Sequence, residues 1–258
     1  MQKSITVIGA GRVGSALGKS LFAAGHSIDL VVSATQESAL ELAAAVNSEW
    51  TTDTSTEIVS DILVLAVPDS QLRHVVSGLA LRKNCCIVHT AGAFGTEVFD
   101  MHKGILNGVL YPFQTFTRGR DIDMAAVPFL VEGNNRLSLE LIEALAMTIS
   151  TSVYRVSADN RKLVHVAGVF VNNFVNHLYG IGEDLVEAAG LPPEILNPLL
   201  SETRDKQCSL GSDKAQTGPA VRNDTNTIEK HLELLSYSPE LSDIYELISN
   251  LIIKRFSK

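Results

Sequence analysis

The first half of the chain alternates short β-branched runs with stretches of helical periodicity. This alternation is typical of a parallel sheet whose strands are connected by helices. The pattern predicts strands at residues 4–8, 27–33, 50–52, 61–67, 85–89, 108–111, 128–132 and 153–156. It predicts helices at residues 12–24, 36–46 and 135–149. Gly25 follows the first helix, where a glycine suits a left-handed C-terminal cap.

The second part of the chain carries helical patterns only. One long helix is predicted from residue 159 to residue 189, and Gly190 ends it. A polar stretch at 211–225 then precedes two further helices. We therefore predict an α/β fold in which a Rossmann domain with a doubly wound, mostly parallel sheet, residues 1–156, is followed by an all-helical domain, residues 157–258.

The segment GAGRVG at residues 9–14 fits the GxGxxG pattern of dinucleotide-binding loops. It follows a predicted strand and begins a helix, which is the context that makes the pattern specific. Gly9 would allow a tight turn, Gly11 would let backbone N–H groups approach a pyrophosphate, and Gly14 would permit close packing of helix on strand. The motif predicts cofactor contacts from Gly9, Ala10, Gly11, Arg12, Val13 and Gly14. The alternative is a glycine-rich turn without a ligand.

The end of the second strand bears on the choice between NADP and NAD. NAD enzymes usually place a carboxylate there for the ribose hydroxyls. Asp29 lies at the start of that strand, and residues 33–36 contain no acidic side chain. The hydroxyls of Ser33 and Thr35 are able to bind a 2′-phosphate, and Arg12 lies close enough in sequence to add positive charge. This end of the strand favours NADP, with NAD as the less favoured cofactor.

The loops after the fourth and fifth strands are expected near the nicotinamide. Ligands of open α/β sheets bind outside the carboxyl ends of the strands. Val67 and Pro68 follow the fourth strand, and Thr90 and Gly92 follow the fifth. We predict cofactor contacts from all four. The alternative for the first loop is that Pro68 and Asp69 only turn the chain and cap the next helix.

A stripe of polar residues marks the long helix within residues 161–180. At about 100° per residue, Asn172 and Asn176 each lie about 20° from His165 on the helical wheel. Arg161 and Lys162 bracket the same face one turn earlier. The neighbouring positions are apolar, so we expect this helix to be largely buried. We predict catalytic roles for His165, as proton donor or acceptor, and for Asn172 and Lys162, and a substrate contact from Asn176. The alternative is a structural histidine with amide bonds between helices.

Composition and charge exclude several classes of partner. The chain has 258 residues, is 45% hydrophobic and 19% charged, and carries a net charge of −8 without a run of Lys or Arg. A nucleic-acid or membrane partner is therefore not expected. The three cysteines and the histidines show no metal-ligand spacing, so no metal is expected. The absence of a recognisable signal peptide and the few cysteines favour a cytoplasmic protein.

Six segments of the sequence carry a resemblance to a known group. GAGRVG, AVPD, HTAGAFGTEVF, YPFQTF, HVAGVFVNNF and TGPAVRND resemble the uncharacterised bacterial family that joins a Rossmann-like NADP-binding domain to a helical domain of unknown function. The chain is more distantly similar to pyrroline-5-carboxylate reductase, ketopantoate reductase and the β-hydroxyacid dehydrogenases. That resemblance implies a dimer built on the helical domain, and hydride transfer between NADP and a small acid or imine.

The chain departs from these relatives at two positions. Ala34 stands where many members of the family carry an arginine. Val166 stands four residues after Lys162, so the lysine-plus-asparagine pair of the β-hydroxyacid dehydrogenases is not reproduced. The chemistry of those enzymes therefore does not transfer residue by residue.

Three further residues are predicted to bind substrate from their positions in the chain. Tyr111 and Gln114 follow a strand, and Arg222 lies in the polar stretch between helices. Arg222 is suited to a forked contact with a substrate carboxylate. Its alternative role is an ion pair with Asp224.

The sequence thus predicts an NADP-dependent oxidoreductase that acts on a small ketoacid, hydroxyacid or imine. A catalytically inactive NADP-binding sensor or scaffold is the alternative. A methyltransferase is disfavoured, because the GxGxxG segment begins a helix and a helical domain follows. Wide apolar faces on the C-terminal helices predict a homodimer through the helical domain.

Overall fold

A computed structural model describes residues 2–82 and 84–257 and contains one eight-stranded sheet. Neighbouring strands are parallel except β6 and β7, which run antiparallel. The strands are β1 (Ser4–Ile8), β2 (Ser27–Val32), β3 (Glu49–Thr51), β4 (Ile62–Leu65), β5 (Cys86–His89), β6 (Asn107–Pro112), β7 (Phe129–Gly133) and β8 (Val153–Arg155). All eight predicted strands are present, with ends that differ by at most two residues.

The strand order places a binding crevice at one edge of the sheet. The order is β3-β2-β1-β4-β5-β6-β7-β8, so the chain goes from β1 to one side and returns to β4 on the other. A ligand crevice forms outside the carboxyl ends of the strands where the order reverses. The mostly parallel, doubly wound Rossmann fold predicted from the sequence is confirmed.

Helices cover both faces of this sheet. Apolar side chains of α1 (Arg12–Ala23), α2 (Gln36–Val46) and α4 (Arg136–Met147) pack on one face, and those of α3 (Asp69–Ser77) pack on the other. Such faces are stable because each buries the apolar side of a helix against β-branched strand residues. Gly25 has φ +89°, as its predicted capping position requires.

The remainder of the chain is helical. Its helices are α5 (Ala158–Gly168), α6 (Val175–Ala188), α7 (Asn197–Leu210), α8 (Ser212–Ala215), α9 (Thr225–Leu234) and α10 (Pro239–Phe256). The chain divides into two compact units, residues 1–176 and 177–258. This division falls inside the long helical region, later than residue 156, where the sequence pattern changes. No helix among the described residues is long and apolar enough to cross a membrane.

The long helix differs from its prediction in two respects. A π-helical segment, Val169–Phe174, interrupts it between α5 and α6. Only Arg161 is buried along its length, so the expectation of a largely buried helix is wrong for the single chain. Phe170 and Val171 are 61% and 71% exposed. Apolar composition indicates a surface that has to be covered, but it does not show that the same chain covers it.

Candidate active site

The glycine-rich loop between β1 and α1 has the geometry of a phosphate-binding turn. Gly9 has φ +100°, and a Cβ there would lie 2.4 Å from the carbonyl oxygen of Ala66. A Cβ on Gly14 would lie 1.8 Å from the carbonyl oxygen of Gly9. Gly11, which caps α1, has open space where a Cβ would be. Free N–H groups at the start of α1 therefore face room for an anion.

This loop forms one wall of a cavity of about 1020 Å³. The cavity lies at the reversal point of the strand order, and its other walls come from the loops after β2, β4 and β6. Eight of the predicted cofactor residues line it: Gly9, Ala10, Gly11, Arg12, Ser33, Thr35, Val67 and Pro68. Four do not line it: Val13, Gly14, Thr90 and Gly92.

Three hydroxyl groups converge where β2 leads into α2. The Ser38 Oγ atom lies 2.9 Å from Ser33 Oγ and 2.6 Å from Thr35 Oγ1. Thr35 also caps α2, because its side chain accepts a hydrogen bond from the Ser38 backbone N–H. Asp29 accepts a hydrogen bond from Ser27 and does not line the cavity. The end of the cavity next to β2 therefore offers hydroxyls and no carboxylate from that strand.

The loop after β6 also lines the cavity, which the sequence pattern does not predict. Residues 116–122 belong to the cavity wall and carry Arg118 and Arg120. Arg118 Nη2 lies 2.9 Å from Glu41 Oε2 and 3.6 Å from Glu37 Oε1. The only sequence signal is a pair of arginines flanking a glycine after the YPFQTF segment. Hydrophobic periodicity carries no information about where such a loop folds.

A second cluster joins β6, α5 and the loop after β5. Tyr111 Oη lies 2.9 Å from His165 Nδ1. A Cβ on Gly92 would lie 2.9 Å from that nitrogen and 3.0 Å from Tyr111 Cζ, so only glycine allows this approach. Burial raises the pKa of Tyr111, which keeps its hydroxyl protonated near neutral pH. The structure therefore brings together three of the predicted site residues.

A buried arginine fixes the position of α5, the helix that carries His165. Arg161 is fully buried, and its Nη1 lies 2.5 Å from Glu132 Oε2 on β7. Its Nη2 donates to the Phe94 carbonyl in the loop after β5. Because Arg161 lies one turn before His165, these contacts hold the start of α5 against both the sheet and that loop.

His89 also stabilises the loop after β5, through two hydrogen bonds to its backbone. Its Nδ1 accepts a hydrogen bond from the Ala91 N–H (3.2 Å), so its Nε2 carries the proton and donates to the Gly95 carbonyl (3.2 Å). Burial lowers the pKa of His89 to about 4, so the ring is neutral near pH 7. A neutral ring with both nitrogens engaged is a structural element of the loop.

The other predicted residues of the long helix are exposed. Lys162 Nζ lies 3.4 Å from Asp159 Oδ1. Asn172 and Asn176 make no side-chain hydrogen bond within the described parts of the chain. A π-helical turn contains more residues than an α-helical turn, so a wheel at constant 100° per residue does not hold between His165 and these asparagines. That step of the sequence argument was wrong.

The pair of Tyr111 and His165 receives no side-chain hydrogen bond from Gln114, Thr90 or Arg222, all three of which are described residues. Gln114 is exposed, and its side chain accepts a hydrogen bond from the Thr115 N–H. Thr90 donates to the Leu65 carbonyl. Arg222 is exposed in a turn of the second unit and forms no ion pair with Asp224, whose carboxylate caps α9 through Thr227. Among residues 2–82 and 84–257, no cluster suited to a metal ion is present.

Comparisons with known proteins agree with this architecture. Residues 1–112 match a Rossmann-like domain, and residues 127–252 match the Domain of unknown function (DUF2520). A Bacteroides fragilis protein provisionally named an NADP oxidoreductase is 36% identical, with 98% of each chain covered and a TM-score of 0.88. The chain therefore belongs to the family that joins a Rossmann-like domain to DUF2520. A comparison with curated proteins finds no match.

Other solved structures share the fold of this DUF2520 family member at low identity. An imine reductase from Myxococcus stipitatus in complex with NADP⁺ is 22% identical, covering 99% of this chain and 100% of its own, with a TM-score of 0.65. A pyrroline-5-carboxylate reductase from Coxiella burnetii is 15% identical, with full coverage of both chains and a TM-score of 0.58. The resemblance predicted from the sequence motifs is confirmed.

Proposed function

We propose that the protein is an NADP-dependent oxidoreductase acting on a small ketoacid, hydroxyacid or imine. The observation that carries this proposal is the hydrogen-bonded pair of Tyr111 and His165, which packs on the loop after β5. The loop after β4, the neighbouring strand in the sheet, lines the dinucleotide-type cavity. The names of the B. fragilis protein and of the imine reductase support an oxidoreductase. These names do not favour the catalytically inactive sensor or scaffold.

The residues present fit a bound dinucleotide. Gly11 and the N-terminus of α1 would hold the pyrophosphate, Ser33 and Thr35 the adenosine ribose, and Val67 and Pro68 the nicotinamide half. When bound, NADPH supplies the hydride. We also propose that Thr90 and Gly92 contact the nicotinamide. They lie in the loop after β5, outside the wall of the cavity.

His165 and Tyr111 would handle the proton that accompanies hydride transfer. Reduction of a C=O or C=N group needs a proton at the oxygen or nitrogen, and a positioned acid provides it. His165 Nδ1 and the Tyr111 hydroxyl share one hydrogen bond, so the pair can pass a proton between the imidazole and a substrate bound at the phenol. We keep Lys162 and Asn172 as proposed members of the catalytic set, with Asn172 acting mainly on substrate binding. Asn176, Gln114 and Arg222 stay proposed substrate-binding residues.

The proposed activity is tested by substrate-dependent oxidation of NADPH. The purified protein is incubated with NADPH and a panel of small ketoacids and cyclic imines, and loss of NADPH absorbance is followed. The reverse reaction is assayed with NADP⁺ and hydroxyacids. A protein that binds NADPH but turns over no member of the panel in either direction would favour the sensor.

Cofactor preference gives a first quantitative prediction. NADPH should bind more tightly than NADH, because no carboxylate from β2 faces the cavity. Arg12→Ala should weaken NADPH binding by about 10-fold and NADH binding by less, since a hydrogen bond to a charged group contributes about 1.5–3 kcal/mol. Calorimetric titration measures both. Arg136→Ala, on the exposed face of α4, is the control. Equal affinity for the two cofactors would contradict the NADP assignment.

The exposed apolar residues lead to a prediction about assembly. We propose a homodimer through the helical domain, because Leu247 and Leu251 of α10 are 61% and 58% exposed. Such a dimer should bury well over about 1,000 Å². Light scattering at micromolar concentration should give twice the 27.8 kDa chain mass. Leu247→Glu should shift the population toward monomer, and a monomeric wild-type protein would contradict the proposal.

The cysteines fit the proposed cytoplasmic setting. All three are free, and Cys208 is exposed. Burial raises the pKa of Cys85 to about 11 and that of Cys86 to about 12, so both thiols stay protonated and unreactive. An exposed free thiol is best tolerated in a reducing compartment.

A further inference from the structure

The dinucleotide cavity has a charge opposite to that of the whole protein. The chain carries a net charge of −8. The described cavity wall carries four cationic side chains and two carboxylates, a surplus of two positive charges. The cations are Arg12, Lys19, Arg118 and Arg120, and the carboxylates are Glu41 and Asp121. Half of the cations therefore come from the loop after β6, which we call the arginine loop (residues 116–122).

The arginine loop is fixed at its base and at its tip. Phe116 is buried in the core under the sheet. The Arg120 N–H donates to the Thr117 carbonyl at 3.2 Å, and Gly119 has φ +77°, so the tip is a tight turn. Arg118 then ties this turn to α2 through Glu41 and Glu37. A loop with these anchors presents its remaining side chains in a defined place.

Arg118 and Arg120 differ in their ion-pair partners. Arg118 lies within 4 Å of two carboxylates, and these contacts raise the pKa of its guanidinium. Arg120 forms no ion pair and no side-chain hydrogen bond within the described residues. The charge of Arg118 is therefore balanced by carboxylates of the protein. The charge of Arg120, on the wall of the cavity, has no ion-pair partner among the described residues.

The hydroxyl cluster at the end of β2 lacks the charge that a phosphate needs. Ser33, Thr35 and Ser38 supply donors to the same cavity, but Ala34 supplies none. A phosphate monoester carries a charge near −2 and is bound most strongly by guanidinium groups. The ion pair of Arg118 with Glu37 and Glu41 brings the arginine loop to the first turns of α2, the helix that Thr35 caps.

We propose that Arg120 binds the 2′-phosphate of NADP(H), and that the Arg118–Glu41 ion pair positions it. The arginine loop then supplies the charge that the end of β2 lacks, and the loop after β6 adds to the contribution of Arg12 to selectivity for NADP over NAD. Arg118 acts through the loop and also neutralises the carboxylates nearest the phosphate. This inference rests on the proposed dinucleotide function and names the residue that distinguishes its two cofactors.

Calorimetric binding of two small adenosine ligands tests the proposal without any substrate. Adenosine 2′,5′-bisphosphate carries the 2′-phosphate, and 5′-AMP lacks it. The wild type should bind the bisphosphate more tightly. Arg120→Ala should lower its affinity about 10-fold to 100-fold and change that of 5′-AMP less than about twofold. Arg120→Lys keeps the charge but loses the two-pronged guanidinium contact, so its affinity for the bisphosphate should lie between those of the wild type and Arg120→Ala. The control Arg136→Ala should match the wild type.

The positioning role of the ion pair has a separate readout. Glu41→Gln should weaken the bisphosphate severalfold and leave 5′-AMP unchanged, because the arginine loop loses its tether. A stronger bisphosphate complex of this variant would show that Glu41 only repels the phosphate, and would overturn the positioning role.

The remaining outcomes separate this inference from the proposed function. Unchanged bisphosphate binding by Arg120→Ala overturns the assignment of Arg120 while the dinucleotide site stands. Equal binding of the two ligands by the wild type overturns any 2′-phosphate site. A wild type that binds neither small ligand and no NADPH overturns the dinucleotide function itself.

Discussion

Replacing His165 with alanine should lower kcat by about 10²–10⁴-fold, the contribution typical of a positioned general acid or base. The Tyr111 hydroxyl would lose the partner that lies 2.9 Å away, and the proton path between imidazole and phenol would be broken. The Kd for NADPH should stay nearly unchanged, because His165 does not line the dinucleotide cavity. Steady-state kinetics on the substrate found by the panel, with calorimetry for NADPH, measures both quantities.

Two further variants show whether this loss is chemical. Tyr111→Phe keeps the ring against Gly92 and removes only the hydroxyl, so it should also lower kcat and alter the pH profile. His177→Ala, at an exposed position of α6, should leave kcat unchanged. If His165 is structural instead, its alanine variant would lose thermal stability while the surviving protein turned over normally.

A third variant separates binding from chemistry on the same helical region. Asn172 lies in the π-helical segment and makes no side-chain hydrogen bond within the described residues. Asn172→Ala should therefore raise KM with little change in kcat, as expected for a residue that only binds substrate. A fall in kcat without a change in KM would instead give Asn172 a part in the chemical step.

The elements of the sheet were predictable because their signals are local. The strand 4–8 and the helix 36–46 were predicted with the bounds that the structure has. Each depends on a run of apolar residues that are close in sequence. The glycine predicted to cap the first helix, Gly25, likewise lies directly after that helix and has a positive φ. Local rules of this kind need no knowledge of distant residues.

The contacts that make the candidate site depend on residues far apart in sequence. Tyr111 and His165 are 54 positions apart, and Arg161 and Glu132 are 29 apart. The sequence identified Tyr111 and His165 separately, but periodicity does not show that their atoms meet. It also does not distinguish a π-helical turn from an α-helical one, which is why Asn172 was grouped with His165 on one wheel.

Burial of a charged residue was the least predictable feature. The sequence pattern predicts Arg161 beside Lys162 on a polar face of the helix, yet Arg161 is fully buried and Lys162 is exposed. The difference arises from Glu132 and the Phe94 carbonyl, which provide partners inside the sheet unit. Such partners become visible only when β7 and the loop after β5 are placed next to α5.

Breaking this ion pair should have the largest effect on stability. Glu132→Gln removes the negative charge and leaves the guanidinium of a fully buried arginine without its counterion. Loss of one partner of a buried pair typically costs about 3–5 kcal/mol, because the remaining charge is desolvated and uncompensated. The Nε atom of Arg161 already lacks a hydrogen-bond partner among the described residues, so the loss of Glu132 adds to a donor that is not satisfied. The free energy of unfolding should fall by about this amount.

Urea denaturation followed by the fluorescence of Trp50 measures this loss. Trp50 is the only tryptophan of the chain and lies on β3, so its signal reports unfolding of the sheet unit. Glu143→Gln breaks the Arg155–Glu143 pair, in which the Arg155 side chain is 54% exposed, and should cost less than about 1 kcal/mol. Adding Arg161→Met to Glu132→Gln should restore part of the stability, because the uncompensated charge is then removed. A Glu132→Gln protein as stable as the Glu143→Gln control would show that the pair does not hold α5 on the sheet.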